Sequence, residues 1–419
     1  MVARRAKVRS VILIGGGAYM GAAMAFATQL LLVRGLSLDE FGEFSAALAS
    51  VNILMPLAAF GLAGLLIRCF GEEREAAQRW VVPILFGAGS TTFLVLVVWF
   101  GWGLAQGASL AVVAGLGSYI LGQTAIEFHL VSSQLADHHD RVALLQFSPP
   151  FLRTVILLAV ILLPFSLGEG AAAMTFGIVG LIHTAAASSA IRGLVTKRVP
   201  QNGLRAERAS SVPRIPEALA AAAPYGAMGV LYMMYSQVPI VMANEVLGAE
   251  AAALYNMTFI LVSAACLLPS VVSQKFFLKD IHAWLHDDKP RLLRLYRGGL
   301  PWLFAGGMAA LLVLAPLARL IFSHLFGINV STNLTAVIVL LSSLPFRFLS
   351  IGLGALLVGR AGIGPQIRCL ILASVCNIGL GYLLGTAFGL IGIASAMVIT
   401  EVVLLVAYWL AVRRWVISA

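Results

Sequence analysis

The chain has 419 residues, of which 60% are hydrophobic and only 11% are charged, and its net charge is +10. Soluble globular domains carry roughly 25% charged residues, so this composition excludes a water-exposed globular surface and predicts a chain solvated by lipid. The basic residues lie mostly in loops between apolar runs, which argues against nucleic acid as a partner. The four cysteines form no CxxC pair, so neither a disulfide framework nor a metal site is predicted.

Twelve apolar runs follow one another along the chain, each long enough to cross a bilayer as a helix of about 20 residues. The first leads directly into further spans and is too long for a cleaved signal, so we expect it to remain in the protein. The sequence therefore predicts an all-α polytopic membrane protein. In chain order the predicted spans lie near 10–33, 44–67, 81–104, 109–134, 142–165, 170–192, 217–244, 252–276, 298–322, 332–358, 365–387 and 390–412.

The loops between these runs alternate in charge. Most arginines and lysines fall at the two chain ends and in every second loop, where the positive-inside rule predicts the cytoplasm. An even number of spans with both termini in the cytoplasm fits this alternation, and we expect the protein in the bacterial cytoplasmic (inner) membrane. The other loops carry mainly acids, namely Asp39, Glu40, Glu43, Glu169, Glu245 and Glu250.

A polar, proline-containing stretch at 193–216 divides the spans into two sets of six. We interpret it as a cytoplasmic linker between an N-terminal lobe, 1–192, and a C-terminal lobe, 217–419. A short repeat supports this division, because Leu36–Phe44 after span one and Leu247–Tyr255 after span seven are similar at an offset of 211 residues. Lobes with an even number of spans share one orientation, so we expect a pseudo-twofold axis along the membrane normal.

Several short motifs carry a family resemblance. Arg34–Phe44 resembles the loop after the first helix of polysaccharide flippases, the Wzx-type branch of the MOP (multidrug/oligosaccharidyl-lipid/polysaccharide) superfamily. Cys376-Asn377 and the run Gly389–Ala396 resemble motifs of that family's last two helices. A plainer interpretation is that Gly42 and Gly248 permit tight turns and that the later glycines permit close helix packing.

The resemblance implies a MATE-like architecture and a transporter without enzymatic chemistry or a cofactor. Its substrate would be a polyprenyl-diphosphate-linked oligosaccharide, moved across the membrane by alternating access for surface polysaccharide biosynthesis. Membrane lipids and a polysaccharide polymerase or glycosyltransferases would be the partners, and an H⁺ or Na⁺ gradient is a possible driving force. A drug or cation antiporter of the same superfamily is one alternative. A membrane glycosyltransferase or polymerase is another, although such enzymes usually need a sizeable outward loop.

Four charged side chains fall at membrane depth, where each costs at least ~2.5–3.5 kcal/mol on insertion scales and therefore pairs or faces water. They are Glu127, Arg153, Arg347 and Glu401. One interpretation is two structural ion pairs, Glu127 with Arg153 and Glu401 with Arg347. The other is that both arginines bind an anionic headgroup, since a guanidinium donates two parallel hydrogen bonds to phosphate, while the two acids couple transport to an ion gradient.

Two further arginines near span ends are candidates for the same substrate path. Arg34 lies at the outer end of span one and Arg68 at the inner end of span two. Both positions also suit interfacial side chains that reach from the helix to the headgroups. Prolines accompany the deep arginines, Pro149-Pro150 before Arg153 and Pro345 before Arg347, and we expect a bend or break at each.

Overall fold

A computed structural model describes residues 2–162, 167–196, 211–271, 289–357 and 363–417, and in these ranges the chain is helical throughout apart from short turns. The fold class predicted from the sequence is confirmed. The helices are α1 (Val2–Gly35), α2 (Leu38–Ala59), α3 (Leu62–Glu73), α4 (Gln78–Ala105), α5 (Leu110–Leu135), α6 (His139–Leu162), α7 (Glu169–Val195), α8 (Ile215–Leu247), α9 (Ala249–Val271), α10 (Lys289–Leu320), α11 (Leu334–Leu341), α12 (Leu344–Leu357) and α13 (Ile363–Val412).

Eleven helical segments in the described residues are long and apolar enough to span a membrane, and the last of them holds two spans. Helix α13 turns back on itself at Gly389, whose φ of 61° is open to glycine but costly for other residues. Beyond the turn, a Cβ on Gly392 would overlap the carbonyl of Leu384. At the far end, Arg368 of the first arm lies over the ring of Trp415 just after the second arm. The two arms are thus an antiparallel hairpin, which agrees with twelve spans.

Two predicted spans are each broken into two helices. Phe60 and Gly61 adopt positive φ between α2 and α3, and the hydroxyls of Thr91 and Thr92 donate to the carbonyl of Ala58 just before this break, at 2.7 and 3.1 Å. A buried break in a helix needs such donors, because the interrupted backbone hydrogen bonding leaves carbonyl groups without partners. Hydroxyl side chains from α4 thus support the interruption.

The second break separates α11 from α12. The hydroxyls of Ser342 and Ser343 each donate to a carbonyl three residues earlier, at 2.6 Å. Pro345 then occupies the first turn of α12, where its missing N–H costs no helical hydrogen bond. The interruption expected beside Arg347 is therefore present, whereas α6 continues through Pro149 and Pro150.

The described chain forms two compact units. Unit 1 comprises Met1–Gly35 and Ser50–Val230, and unit 2 comprises Leu36–Ala49 and Leu231–Ala419. These boundaries differ from those of the predicted lobes at two segments, the start of α2 and the first half of α8. Most of the predicted linker, residues 197–210, lies outside the described residues.

Glycines allow unusually close helix packing in unit 1. Helices α5 and α7 meet through Gly115, Gly122, Gly177 and Gly180, where any added Cβ would overlap the backbone of the facing helix. Helices α1 and α6 approach in the same way at Gly17 and Gly21. Small residues are the usual means by which spanning helices approach each other in lipid.

The close contact between α5 and α7 predicts that Gly122→Val destabilises the protein. The new side chain would collide with the backbone at Gly180, and overpacking of this kind costs typically ~1–3 kcal/mol. We expect a lower unfolding temperature in detergent and less protein in the membrane. Gly89→Val in α4 is the matched control, because a Cβ there meets nothing within 4 Å; equal losses in both variants would contradict the packing argument.

In unit 2 the loop motif Leu36–Phe44 begins a helix. Ser37 and Glu40 form a reciprocal capping box, in which the Ser37 backbone N–H donates to the Glu40 carboxylate at 2.9 Å and the Glu40 N–H donates to the Ser37 hydroxyl at 3.3 Å. The aromatic rings of Phe41 and Phe44 are fully buried. The acid and the aromatics of this motif therefore have structural roles in starting and packing α2.

The two repeat segments contact each other within unit 2. The Asn256 amide donates to the Ser45 hydroxyl at 2.8 Å, and these positions are separated by 211 residues, the offset of the predicted repeat. This hydrogen bond lies one residue beyond the two segments, and the predicted symmetry of the lobes stays a prediction. Gly42 lies against the Ala249 carbonyl with no room for a Cβ. Its role is close helix contact rather than the predicted turn, whereas Gly248, with φ of 95°, does form a turn.

Candidate functional site

Unit 2 contains a buried ion pair between α12 and the second arm of α13. Nη1 of Arg347 lies 3.5 Å from Oε1 of Glu401, and the Glu401 side chain is 0% exposed. The Tyr235 hydroxyl of α8 donates to the same carboxylate oxygen. The predicted structural pair Glu401–Arg347 is therefore present, with a third partner that sequence reasoning missed.

Aromatic rings hold the Arg347 guanidinium in place. Its Cζ lies 5.0 Å from the ring centroid of Phe259 and 5.9 Å from that of Tyr235. The first turn of α12 places Arg347 here, since its backbone N–H bonds the Ser343 carbonyl at the helix start. Cation–π contacts of this kind contribute about 2 kcal/mol or more when the cation is desolvated.

Several polar atoms around this pair have no hydrogen-bond partner among the described residues. They are Nη1 of Arg347, Oε2 of Glu401, and the hydroxyls of Tyr255, Ser350 and Thr400, all of them buried. Buried polar groups are normally hydrogen-bonded. Unit 2 thus holds buried polar atoms without a hydrogen-bond partner among its described residues, while the charges of Arg347 and Glu401 compensate each other.

The deep arginine of unit 1 has different surroundings. The Arg153 guanidinium lies over Phe176 of α7 at 4.7 Å and over Tyr119 of α5 at 5.2 Å, and its Nε donates to the Pro149 carbonyl at 3.3 Å. The two rings contact edge to face, with centroids 5.4 Å apart. In the part of the chain that the structure describes, no carboxylate forms an ion pair with Arg153, so its charge is held by aromatic faces and a carbonyl dipole.

The second predicted ion pair, Glu127 with Arg153, is not formed among the described residues. Glu127 is exposed on α5, eight positions before the helix ends at Leu135, whereas Arg153 lies fourteen positions after α6 begins at His139. At 1.5 Å per residue the two α-carbons differ in depth by roughly 9 Å, because only a three-residue turn joins the helices. An exposed carboxylate within an apolar span is expected to face water rather than hydrocarbon.

The remaining two candidate arginines lie on α1 and α3. Arg34 is exposed in the last turn of α1. Arg68 of α3 forms an ion pair with Glu72 at 3.1 Å, with about a third of its side chain exposed. The geometry of Arg68 suits an interfacial residue, and its role in a substrate path stays a prediction.

Other polar side chains at membrane depth bridge helices. The imidazole of His183 is hydrogen-bonded to the Ser148 hydroxyl at 2.9 Å and to the Val179 carbonyl at 2.8 Å. The amide of Asn377 reaches Met397 at 3.3 Å across the α13 hairpin. No group of three or more His, Cys, Asp or Glu within the described ranges is arranged to hold a metal ion.

Comparison with known proteins supports the fold. No protein-family profile matches the sequence, and neither does any curated protein. Solved structures that it resembles include the inward-facing conformation of a multidrug resistance MATE family transporter of the MOP superfamily (TM-score 0.69, 15% identity, 94% of each chain covered). The outward-facing conformation of such a transporter has a TM-score of 0.66 at 16% identity, covering 97% of this chain and 95% of that one.

A mutant of the Vibrio cholerae MATE transporter VcmN also resembles the chain, with a TM-score of 0.63 at 14% identity over 100% of this chain and 99% of that one. At these identities the similarity establishes the fold, which is MATE-like over nearly the whole chain. The predicted architecture is confirmed. The resemblance to the polysaccharide flippase branch stays a prediction, because these structures represent the multidrug branch.

Proposed function

We propose that this protein is a membrane transporter that works by alternating access and moves a lipid-linked anion, a polyprenyl-diphosphate-linked oligosaccharide, across the bacterial cytoplasmic membrane. The observation that carries the proposal is Arg153, a cation at membrane depth with no carboxylate partner among the described residues. An uncompensated guanidinium in a span is costly and is retained where it serves a ligand or a water-filled path. The diphosphate would accept parallel hydrogen bonds from it.

The polar head would cross through the hydrated interior while the polyprenyl tail stays in lipid. Both termini would lie in the cytoplasm, and a polymerase or glycosyltransferases would act on either side of the transport step. Glu401 is a weaker coupling candidate than Glu127, because its charge is already compensated by Arg347 within a fully buried cluster. Under this proposal Arg153 binds the headgroup, Arg347 supports unit 2, and Glu127 is the candidate for H⁺ or Na⁺ coupling.

A drug or cation antiporter is the second candidate function. It is favoured by the exposed carboxylate of Glu127 in an apolar span and by the solved structures of similar fold, which are multidrug transporters. An exposed acid attracts cationic substrates, whereas an unpaired arginine repels them. The two candidates therefore predict opposite substrate charges.

Reconstitution into liposomes separates the two candidates. We expect the protein to accelerate at least tenfold the movement of a fluorescent polyprenyl-diphosphate saccharide between leaflets, measured by accessibility of the label to a membrane-impermeant quencher. The same liposomes should not accumulate a cationic dye under an imposed H⁺ or Na⁺ gradient. Gradient-driven dye transport without movement of the diphosphate lipid would replace the flippase proposal with the antiporter.

A further inference from the structure

Arginine and tryptophan side chains converge where the α13 hairpin opens, in unit 2. We call this set the Arg–Trp cluster: Arg368, Trp409, Arg413, Arg414 and Trp415. The guanidiniums of Arg368 and Arg414 both lie over the Trp415 ring, with Cζ to centroid distances of 5.8 and 5.7 Å. Arg413 lies over Trp409 at 5.5 Å. Arginines from the start of the first arm and from just after the second arm are thus stacked on two indole rings.

The cluster is open to its surroundings. All three arginines are exposed, and the two tryptophans are 43% and 42% exposed. Within the described ranges neither Arg368 nor Arg414 has a carboxylate at ion-pair distance. Arg368 and Arg414 are therefore held close together by stacking on one ring, which leaves most of their guanidinium N–H groups available to an anion.

The surface that leads to the cluster is apolar. Val402, Val406 and Leu410 on the second arm are 37%, 49% and 53% exposed, and their spacing of four puts them on one helix face. The stripe runs along the spanning helix and ends beside Arg413 and Arg414. A molecule with long hydrocarbon chains and an anionic head matches this order from the membrane interior to its edge.

We propose that the Arg–Trp cluster is a binding site for the phosphodiester headgroup of an anionic phospholipid. The guanidiniums would donate paired hydrogen bonds to the phosphate oxygens, and the indoles would lie at headgroup depth, where tryptophan is enriched in membrane proteins. The acyl chains would follow the apolar stripe. The membrane face concerned is the one predicted to be cytoplasmic, where anionic lipids attract basic residues. Arginines at this membrane face ordinarily fix the topology of the protein. That function requires their charge, but it does not require that two of them stack on the same ring.

Titration of the full-length purified protein in a neutral detergent with dioctanoyl-phosphatidylglycerol tests this site, with dioctanoyl-phosphatidylcholine and inorganic phosphate as parallel ligands. We expect saturable binding of phosphatidylglycerol that weakens roughly 30-fold in the double variant Arg368→Ala, Arg414→Ala, from two lost arginines near the headgroup. Arg192→Ala is the matched control, since Arg192 is an exposed arginine near a helix end whose side chain, among the described residues, is hydrogen-bonded to Ser188 of its own helix. It should bind as the wild type does.

A monodisperse elution profile and an unchanged unfolding temperature in phosphatidylcholine would show that the double variant is folded. The variant Arg368→Lys, Arg414→Lys keeps the charge but loses the planar stacked fork, and it should bind with intermediate affinity. Undiminished phosphatidylglycerol binding by the alanine variant would overturn the proposal. Equally tight binding of phosphatidylcholine or of free phosphate to the wild type would overturn it as well, by showing that the anionic lipid is not the ligand.

Discussion

Arg347→Ala is expected to remove most of the folded protein from the membrane. The substitution leaves the Glu401 carboxylate, which is 0% exposed, without its counter-charge. Breaking a buried pair by removing one partner costs about 3–5 kcal/mol, which is comparable to the lower end of the net stability of a folded domain, about 5–15 kcal/mol. Protein abundance in the membrane and the unfolding temperature in detergent are the measurements.

The partner substitution and the double variant complete the experiment. Glu401→Ala leaves Arg347 between Phe259 and Tyr235 without its counter-charge and should also destabilise the protein. The double variant Arg347→Met, Glu401→Leu removes both charges and should restore abundance. The exposed pair Arg68–Glu72 is the matched control, because surface ion pairs contribute only about 0–1 kcal/mol. Single variants that are as abundant as the wild type but do not transport would show instead that the pair acts in the transport cycle.

Arg153→Ala is expected to abolish transport while leaving normal amounts of protein. No acid pairs with Arg153 among the described residues, so its removal strands no charge; what is lost is stacking on Tyr119 and Phe176 and the bond to Pro149. A hydrogen bond to a charged group contributes about 1.5–3 kcal/mol, so two lost bonds to a diphosphate weaken binding by a factor on the order of 100 or more. Initial rates of headgroup translocation against substrate concentration measure this loss.

Conservative and double variants make the second prediction specific. Arg153→Lys keeps the charge and should retain partial transport. Glu127→Ala should not change the abundance of the Arg153→Ala variant, because the two residues do not form a pair. Normal translocation by an abundant Arg153→Ala variant would refute headgroup binding at this position. A loss of abundance that Glu127→Ala reverses would restore the structural interpretation of the pair.

Composition and patterning alone determined the fold class of this protein. Lipid tolerates an apolar surface on every side of a helix, so long apolar runs are a direct signal of spanning segments. The same property singled out the charged side chains at membrane depth as candidates, because a charge is costly there. They are Arg153, Arg347, Glu127 and Glu401. The repeat at an offset of 211 residues stays a prediction, although Ser45 and Asn256, one residue beyond its two segments, are hydrogen-bonded.

Only the tertiary structure decided which charges meet. The sequence left open whether the deep charges form two ion pairs or whether both arginines bind a headgroup. In the structure Arg347 pairs with Glu401, whereas Arg153 lies over aromatic rings and Glu127 is exposed. Pairing depends on the relative depth and rotation of packed helices, which close backbone contacts at glycines such as Gly115 and Gly122 help to fix. Tyr235 could not be singled out for the same reason: its hydroxyl has a role only because α8 brings it to a carboxylate 166 residues away along the chain.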